Sequence, residues 1–217
     1  MPEEFYQISN LKVALKDLEP MVKGGDVRGR PWLIDGNNSK QKPVGISVTD
    51  GRMFKMRPRE AWGNWLMCAV LSYVYGVDFS FQDSEADGII FNRKTKDAYV
   101  MEHVCAMDFK NGPKLPTGEA RILWAIDKKL EKCKEYPGYA KGKNLLVFVD
   151  GAGLVYPNRV GRAIPKNDFG AIYGIIFVEA TQNGYSYGVT YFRKNGCPMY
   201  RIDINSDFTD WKVKQLQ

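Results

Sequence analysis

The chain has 217 residues, of which 44% are hydrophobic and 13% aromatic, and this composition supports a packed core and excludes a disordered protein. No run of 18 or more uncharged apolar residues occurs, and the polar N-terminus lacks the apolar stretch of a signal peptide, so we expect a cytoplasmic protein without a membrane span. The net charge of +6 fits a polyanionic partner such as nucleic acid without requiring one.

The first part of the chain differs in pattern from the rest. Residues 35–52 are rich in Gly, Asn, Ser and Asp and contain one short strand-like run, VGISV. We therefore predict that residues 1–55 form an N-terminal extension of short strands and loops. Residues 56–217 are predicted to form the core domain, which ends in a C-terminal hairpin.

The core pattern begins with a helix and a hairpin. The helix is predicted to start at Pro58 and to end at Gly76, because proline suits a first helical turn and glycine suits a helix C-terminus. Two strands, GIIF and AYVMEHV, then flank a polar turn over residues 92–97, which predicts a β-hairpin.

A second helix and further strands follow. The helix is predicted over TGEARILWAIDKKLEKCKEY, where Thr117 stands in position to cap the first turn. A loop rich in Gly, Pro and Arg covers residues 151–170. The remaining elements are two buried strands and a hairpin: KNLLVFVDG, AIYGIIFVEA, and YSYGVTYF with PMYRIDI. This order predicts a mixed central sheet flanked by helices, in an α/β or α+β fold.

Several kinds of catalytic site are disfavoured by the sequence. His103 is the only histidine, and neither a G-x-S-x-G motif nor an activated cysteine signature accompanies it, which disfavours a catalytic triad. No Walker loop occurs and no G-x-G-x-x-G follows a strand, which disfavours nucleotide-cofactor folds. The four cysteines are far apart, so a structural zinc site is not expected.

Two acids of the predicted hairpin are the best candidates for chemistry. Asp87 opens the first strand and Glu102 lies within the second, so their carboxylates can be neighbours across the hairpin. Adjacent carboxylates repel each other unless a cation lies between them, and their oxygens suit Mg²⁺. For Asp87 alone, a polar face in water is the simpler interpretation. Glu102, however, stands in a largely apolar run, where an ionised acid needs a partner.

Two more charged residues lie on helices next to this hairpin. Lys129 falls at the edge of the apolar stripe of the second helix, while Lys128 and Lys132 point outward. A lysine at that edge can present its ammonium group to carboxylates on the sheet, although ordinary burial of its stem with no catalytic role stays open. Glu60 lies in the first turn of the preceding helix, where an acid either joins the site or only stabilises the helix N-terminus.

The order of these motifs resembles the PD-(D/E)xK nuclease superfamily. The resemblance covers about residues 58–180 and rests on EADGIIF, YVMEHVCAMD and GEARILWAIDKKLEKCKEY. It implies a restriction-endonuclease-like core and an endonuclease that hydrolyses phosphodiester bonds of DNA with Mg²⁺ or Mn²⁺.

The resemblance also implies a metal site. Asp87 and Glu102 would bind the metal ion together with a strand carbonyl near His103, and Glu60 would complete an outer ligand shell. The metal would lower the pKa of a bound water and offset charge in the transition state.

The chain departs from the superfamily pattern at Val104, which stands where the lysine of the E-x-K step is expected. Some members carry this lysine on the following helix, and Lys129 is then the best replacement, with Lys128 or Lys110 as alternatives. Lys129 would orient or deprotonate the attacking water, or stabilise the phosphorane. The missing lysine also leaves open a second function, a catalytically silent nucleic-acid-binding or assembly protein on the same fold.

Basic loop residues are candidates for contacts with DNA phosphates. They are Lys110, Lys114, Arg159, Arg162 and Lys166. A nuclease of this size that cuts both strands often acts as a dimer, so a homodimer is a further expectation, and the sequence does not specify a recognition site.

Overall fold

A mixed β-sheet with helices on both faces forms the body of the protein. The computed structural model describes residues 8–24, 56–106, 116–149 and 153–217, and within them the chain forms four helices and eight strands. The strands are hydrogen-bonded to one another in their order along the chain, from β1 to β8. The predicted α/β class with a mixed sheet flanked by helices is therefore confirmed.

The helices are α1 (Leu11–Gly24), α2 (Pro58–Tyr75), α3 (Glu119–Glu135) and α4 (Pro157–Ala163). The strands are β1 (Phe79–Gln82), β2 (Ile89–Asn92), β3 (Ala98–Cys105), β4 (Lys143–Phe148), β5 (Ile172–Thr181), β6 (Gly184–Tyr191), β7 (Met199–Asn205) and β8 (Trp211–Gln215). Strand β4 is parallel to both β3 and β5, and the other neighbouring pairs are antiparallel. Parallel neighbours need crossover connections, and here the crossovers contain α3 and α4.

The larger apolar core lies on the sheet face that carries α1 and α2. Every residue of α2 from 61 to 70 is buried, because this helix is packed against the sheet and against α1. Trp62 and Trp65 stack with ring centroids 5.2 Å apart, and the Trp65 ring meets Trp211 of β8 edge-on. The Trp65 indole N–H donates to the carbonyl oxygen of Leu11 at 2.9 Å, which ties α1 to α2.

A smaller core lies on the opposite face, beneath α3 and α4. Ile122, Ala125 and Ile126 bury one side of α3, and Lys129 continues the same buried stripe. The predicted amphipathic helix is confirmed, but Lys129 lies within the buried side rather than at its edge. None of the described helices combines the length and the apolar character needed to cross a membrane.

Two predicted hairpins form as expected. The first consists of β2 and β3, with a turn over residues 93–97, and the second consists of β6 and β7. In the first turn, the side-chain oxygen of Asn92 accepts hydrogen bonds from the backbone N–H groups of Lys94 and Thr95, at 2.9 and 3.1 Å. An asparagine at the end of a strand commonly nucleates a turn in this way.

The structure corrects several local predictions. Helix α1 lies within the segment predicted to hold short strands and loops, and its Leu15 and Leu18 are fully buried. Residues 25–55 lie outside the described residues, so the division at residue 55 stays a prediction. Helix α4 interrupts the predicted loop over 151–170, and strands β1 and β8 were not predicted. Gly118, not Thr117, is the N-cap of α3.

Gly63 of α2 provides a test of this packing. A Cβ atom at this position would lie 2.6 Å from a ring carbon of Phe148 and 2.9 Å from a methyl carbon of Leu146, on the strand beneath. We expect Gly63→Ala to lower the free energy of unfolding by about 1–3 kcal/mol through overpacking, although alanine is the better helix former. Urea unfolding measures the change.

Gly188 of β6 serves as the control, because the nearest atom to an added Cβ there is 3.7 Å away. Gly188→Ala is expected to leave the free energy of unfolding nearly unchanged. Equal effects of the two substitutions would contradict the close approach of α2 to β4.

Candidate active site

Glu102 is the centre of the candidate site. It lies within β3, on the face covered by α3, and is only 6% exposed. Lys129 Nζ of α3 donates to Glu102 Oε2 at 2.8 Å, and Lys143 Nζ at the start of β4 donates to Oε1 at 2.7 Å. The Tyr139 hydroxyl also donates to Oε2. Three donors therefore satisfy a carboxylate that burial alone would destabilise.

The balance of burial and hydrogen bonding fixes the ionisation of these groups. Burial acts to raise the pKa of Glu102, but the hydrogen bonds from Lys129, Lys143 and Tyr139 outweigh it and lower the pKa from 4.5 to about 2. Burial and the hydrogen bond to Glu102 raise the pKa of Tyr139 above its usual 10. At neutral pH the site therefore contains an ionised Glu102 and a protonated tyrosine.

Asp87 lies beside Glu102, just before the start of β2. Its Oδ2 atom accepts a hydrogen bond of 2.5 Å from the backbone N–H of His103 and lies 3.8 Å from Lys129 Nζ. The Asp87 side chain is 28% exposed, compared with 8% for that of Glu102. The structure thus brings together the three residues predicted to be catalytic, Asp87, Glu102 and Lys129.

The backbone of Asp87 is fixed from α2. Asn64 is fully buried, and its side-chain amide donates to the Asp87 carbonyl oxygen at 3.0 Å. Gly88 has a φ of +145°, and a Cβ atom there would lie 2.1 Å from the Asn64 amide nitrogen. Glycine is therefore needed for both the conformation and the space. Neither Asn64 nor Gly88 was predicted to have a role, although Asp87 and Gly88 both belong to the EADGIIF motif.

The side chain of His103 does not join the site. Strand residues alternate between faces, so the His103 ring lies on the α2 side, where it packs edge-on against Phe148. Burial lowers the pKa of the His103 imidazole from 6.5 to about 4, so the ring is neutral at pH 7. Only the backbone N–H of His103 is bonded to Asp87, and a ligand role for its carbonyl oxygen stays a prediction.

Glu60 serves the N-terminus of α2. Its carboxylate accepts a hydrogen bond of 3.1 Å from the backbone N–H of Arg57, so it takes part in capping the helix. Burial and the negative charge of Asp87 raise the pKa of Glu60 above 4.5. The charge of Asp87 therefore acts on Glu60, but the hydrogen bond that Glu60 makes is to the N-terminus of α2. Its place in an outer ligand shell stays a prediction.

Tyr139 and Lys143 are site residues that the sequence analysis missed. In the parallel register, Glu102 is paired with Leu145, and Lys143 precedes Leu145 by two residues on the same face. A diagonal neighbour of this kind is within reach of a long side chain. The proximity of Lys143 to Glu102 can be inferred only when the register between β3 and β4 is known. Tyr139 lies in the turn before β4, where no periodicity applies.

The predicted DNA contacts are only partly described. Arg162 and Lys166 are exposed, on α4 and just after it. Arg159 is also exposed, but its guanidinium lies 3.8 Å from a Glu119 carboxylate oxygen and 4.5 Å from the Tyr156 ring centroid. The other two predicted contacts, Lys110 and Lys114, lie outside the described residues.

A divalent cation would find oxygen ligands at this site. Among the described residues, no group of three or more His, Cys, Asp or Glu side chains could hold a metal ion. The protein oxygens available to a cation are those of the Asp87 and Glu102 carboxylates, and the carbonyl of His103 stays a predicted ligand. Mg²⁺ typically accepts few protein oxygens and completes its shell with water and phosphate, so this donor chemistry fits it. The cation would share these oxygens with Lys129.

The ionised state of Glu102 gives a prediction for acid stability. Because the folded-state pKa is lowered to about 2, Glu102 contributes stability above its usual pKa of 4.5 and loses it as the pH falls toward 2. The contribution is about 3 kcal/mol. We expect the difference in unfolding free energy between the native protein and Glu102→Gln to narrow by about this amount between pH 5 and 2, as measured by urea unfolding.

The control is Glu131→Gln, because Glu131 is exposed and pairs only on the surface with Lys128 at 2.9 Å. The difference in unfolding free energy between Glu131→Gln and the native protein should change little over the same pH range. If the difference in unfolding free energy between Glu102→Gln and the native protein stayed constant with pH, it would contradict the ion-paired state of Glu102.

Comparisons with protein-family models, curated proteins and solved structures give no significant match to this chain. What the site can do follows from its own side chains. Two carboxylates, one buried and one more exposed, share the ammonium group of Lys129, and a second lysine and a tyrosine hold the buried carboxylate in place. Such a set can bind a cation and stabilise negative charge beside it.

Proposed function

We propose that the protein is a metal-dependent endonuclease that hydrolyses phosphodiester bonds of DNA at Asp87, Glu102 and Lys129. The observation that carries this proposal is the position of Lys129 Nζ, 2.8 Å from Glu102 and 3.8 Å from Asp87. Lys129 lies on α3, so it supplies from the helix the ammonium group that the E-x-K strand position, Val104, does not supply.

The order of elements around the site supports the same proposal. Helix α2 is followed by the antiparallel strands β1, β2 and β3, then by α3 and by β4, which is parallel to β3. The acids lie on the hairpin and the lysine on the next helix, as the resemblance to the PD-(D/E)xK superfamily requires. The restriction-endonuclease-like core is part of this proposal.

Each side chain has a physical role in the proposed reaction. When bound, the Mg²⁺ or Mn²⁺ ion polarises the scissile phosphate and lowers the pKa of the attacking water. Asp87 and Glu102 would hold the cation, and Asn64 keeps Asp87 in place through its carbonyl oxygen. The ammonium group of Lys129 would stabilise the negative charge that develops on the phosphate oxygens. Tyr139 fixes the orientation of Glu102.

DNA is the proposed substrate because the net charge of +6 and the exposed basic residues of α4 favour a polyanion. Arg162 and Lys166 would contact backbone phosphates, and Lys110 and Lys114 keep this role as sequence-based predictions. A homodimer is proposed for cutting both strands of a duplex.

A second candidate function is a catalytically silent nucleic-acid-binding or assembly protein on the same fold. The observation that favours it is the saturation of Glu102, whose two oxygens already accept hydrogen bonds from Lys129, Lys143 and Tyr139. A carboxylate held by three donors is a weaker ligand for a metal ion than a free one. Binding of Mn²⁺ distinguishes the two functions.

Cleavage and metal binding test the proposed nuclease together. We expect the protein to cut supercoiled or linear DNA in Mg²⁺ or Mn²⁺, and Asp87→Asn and Glu102→Gln to lower the rate by at least about 100-fold because each removes a charged ligand. Mn²⁺ binding, followed by electron paramagnetic resonance without DNA, should be lost in Asp87→Asn.

Asp97→Asn is the matched control, because Asp97 is an exposed acid in the turn of the same hairpin. It should leave both cleavage and Mn²⁺ binding unchanged. DNA binding without cleavage or Mn²⁺ binding in the native protein would contradict the nuclease and favour the silent module.

The role of Lys129 is tested by comparing neighbouring lysines. Lys129→Met should lower the cleavage rate by about 100-fold or more, because it removes the ammonium group next to both carboxylates. Lys128→Met should leave the rate nearly unchanged, since Lys128 is exposed and pairs with Glu131. Single-turnover cleavage rates measure the difference. Equal rates for the two variants would remove Lys129 from the mechanism.

A further inference from the structure

Three lysine ammonium groups converge on the ring of Tyr139. Lys143 Nζ lies 4.4 Å from the ring centroid, Lys132 Nζ lies 5.8 Å from it, and Lys129 Nζ lies 5.9 Å from it. Each distance is within the range in which an aromatic ring attracts a cation. The ring thus holds together, at one place, lysines from α3 and β4 that would otherwise repel one another.

The acids at this place do not neutralise all three lysines. Glu102 and Asp87 are the carboxylates whose charges act most strongly on the Tyr139 hydroxyl. Lys129 pairs with Glu102 and Asp87, and Lys143 pairs with Glu102, whereas no ion pair of Lys132 is found among the described residues. An ammonium group without a carboxylate partner attracts an anion from solution.

Lys132 and Lys143 lie on the solvent side of the cluster, although Lys143 also donates to Glu102. The Lys129 side chain is only 11% exposed and is engaged by both carboxylates. The Lys143 side chain is 26% exposed, and Lys132 is exposed on the outer face of α3. Lys143 and Lys132 are therefore the lysines that a molecule approaching from solution would meet next to Glu102.

We propose that Lys132 and Lys143, held on the ring of Tyr139, form a subsite for a backbone phosphate of the nucleic acid next to the scissile bond. The inference rests on the proposed function, because the phosphate belongs to the same substrate. A lysine ammonium binds phosphate as a point charge without reading the base, so the subsite would position the strand and give no sequence specificity.

The test uses DNA binding without metal, so that cleavage does not interfere. The affinity of a fluorescein-labelled duplex is measured by anisotropy in EDTA from about 50 to 200 mM salt, and each phosphate contact contributes about 0.9 to the slope of log K against log salt. The double variant Lys132→Met/Lys143→Met should lower this slope by about 2 relative to the native protein. The matched control, Lys134→Met/Lys141→Met, removes two exposed lysines of the same helix and turn and should lower it less.

Lys132→Met alone keeps the test decisive if loss of Lys143 disturbs the fold, because Lys132 is exposed on α3 and has no described bond to Glu102. It should lower the slope by about 0.9 with an unchanged melting temperature.

The possible failures are distinguishable. If the native protein binds DNA and the slope is the same in the lysine variants, the phosphate subsite is wrong while the nuclease proposal stands. If the native protein neither binds nor cuts DNA, both the subsite and the proposed function are wrong. A slope that falls equally in the Lys134/Lys141 control would show diffuse attraction to the surface and would also overturn the subsite.

Discussion

The burial of Glu102 is the constraint on which the site depends. An ionised carboxylate in the interior costs several kcal/mol unless charged partners and hydrogen bonds surround it. Its partners come from α3, from the turn after α3 and from the first residue of β4, namely Lys129, Tyr139 and Lys143. The parallel pairing of β3 with β4 and the packing of α3 over β3 must both be correct for these donors to meet. The sheet topology and the site therefore stabilise each other.

The same arrangement determines where a cation would approach. Both oxygens of Glu102 accept hydrogen bonds, whereas Asp87 is more exposed and its Oδ2 accepts one from the backbone of His103. Asp87 is thus the more accessible of the two acids, and Glu102 is the more rigidly held. A metal ion that reaches Asp87 from solution would meet a carboxylate whose position is already fixed, with the ammonium group of Lys129 beside it.

The sequence predicted the parts of this site that follow local periodicity. The hairpin brought Asp87 next to Glu102, and the helical spacing directed Lys129 toward the sheet, although burial of this lysine was underestimated. Tyr139 and Lys143 could not be predicted in this way, because their positions depend on the turn after α3 and on the register of a parallel pair. Helix α1 and strand β8 were not predicted for the same reason, because they depend on contacts with residues distant in the sequence. Both of them contact Trp65 of α2.

Asp87 is the residue of this cluster whose placement bears most directly on the proposed function. Lys129, Lys143 and Tyr139 already stabilise Glu102, and Asp87 adds a second carboxylate, 3.8 Å from Lys129 Nζ and hydrogen-bonded to the backbone N–H of His103. Burial and the negative charge of Asp87 both raise the pKa of Glu60. The chain also fixes Asp87 with the buried Asn64 and with a glycine at a φ that other residues rarely adopt. The contacts with Lys129 and His103 stabilise this placement, and the proposed function would add a cation between the two acids.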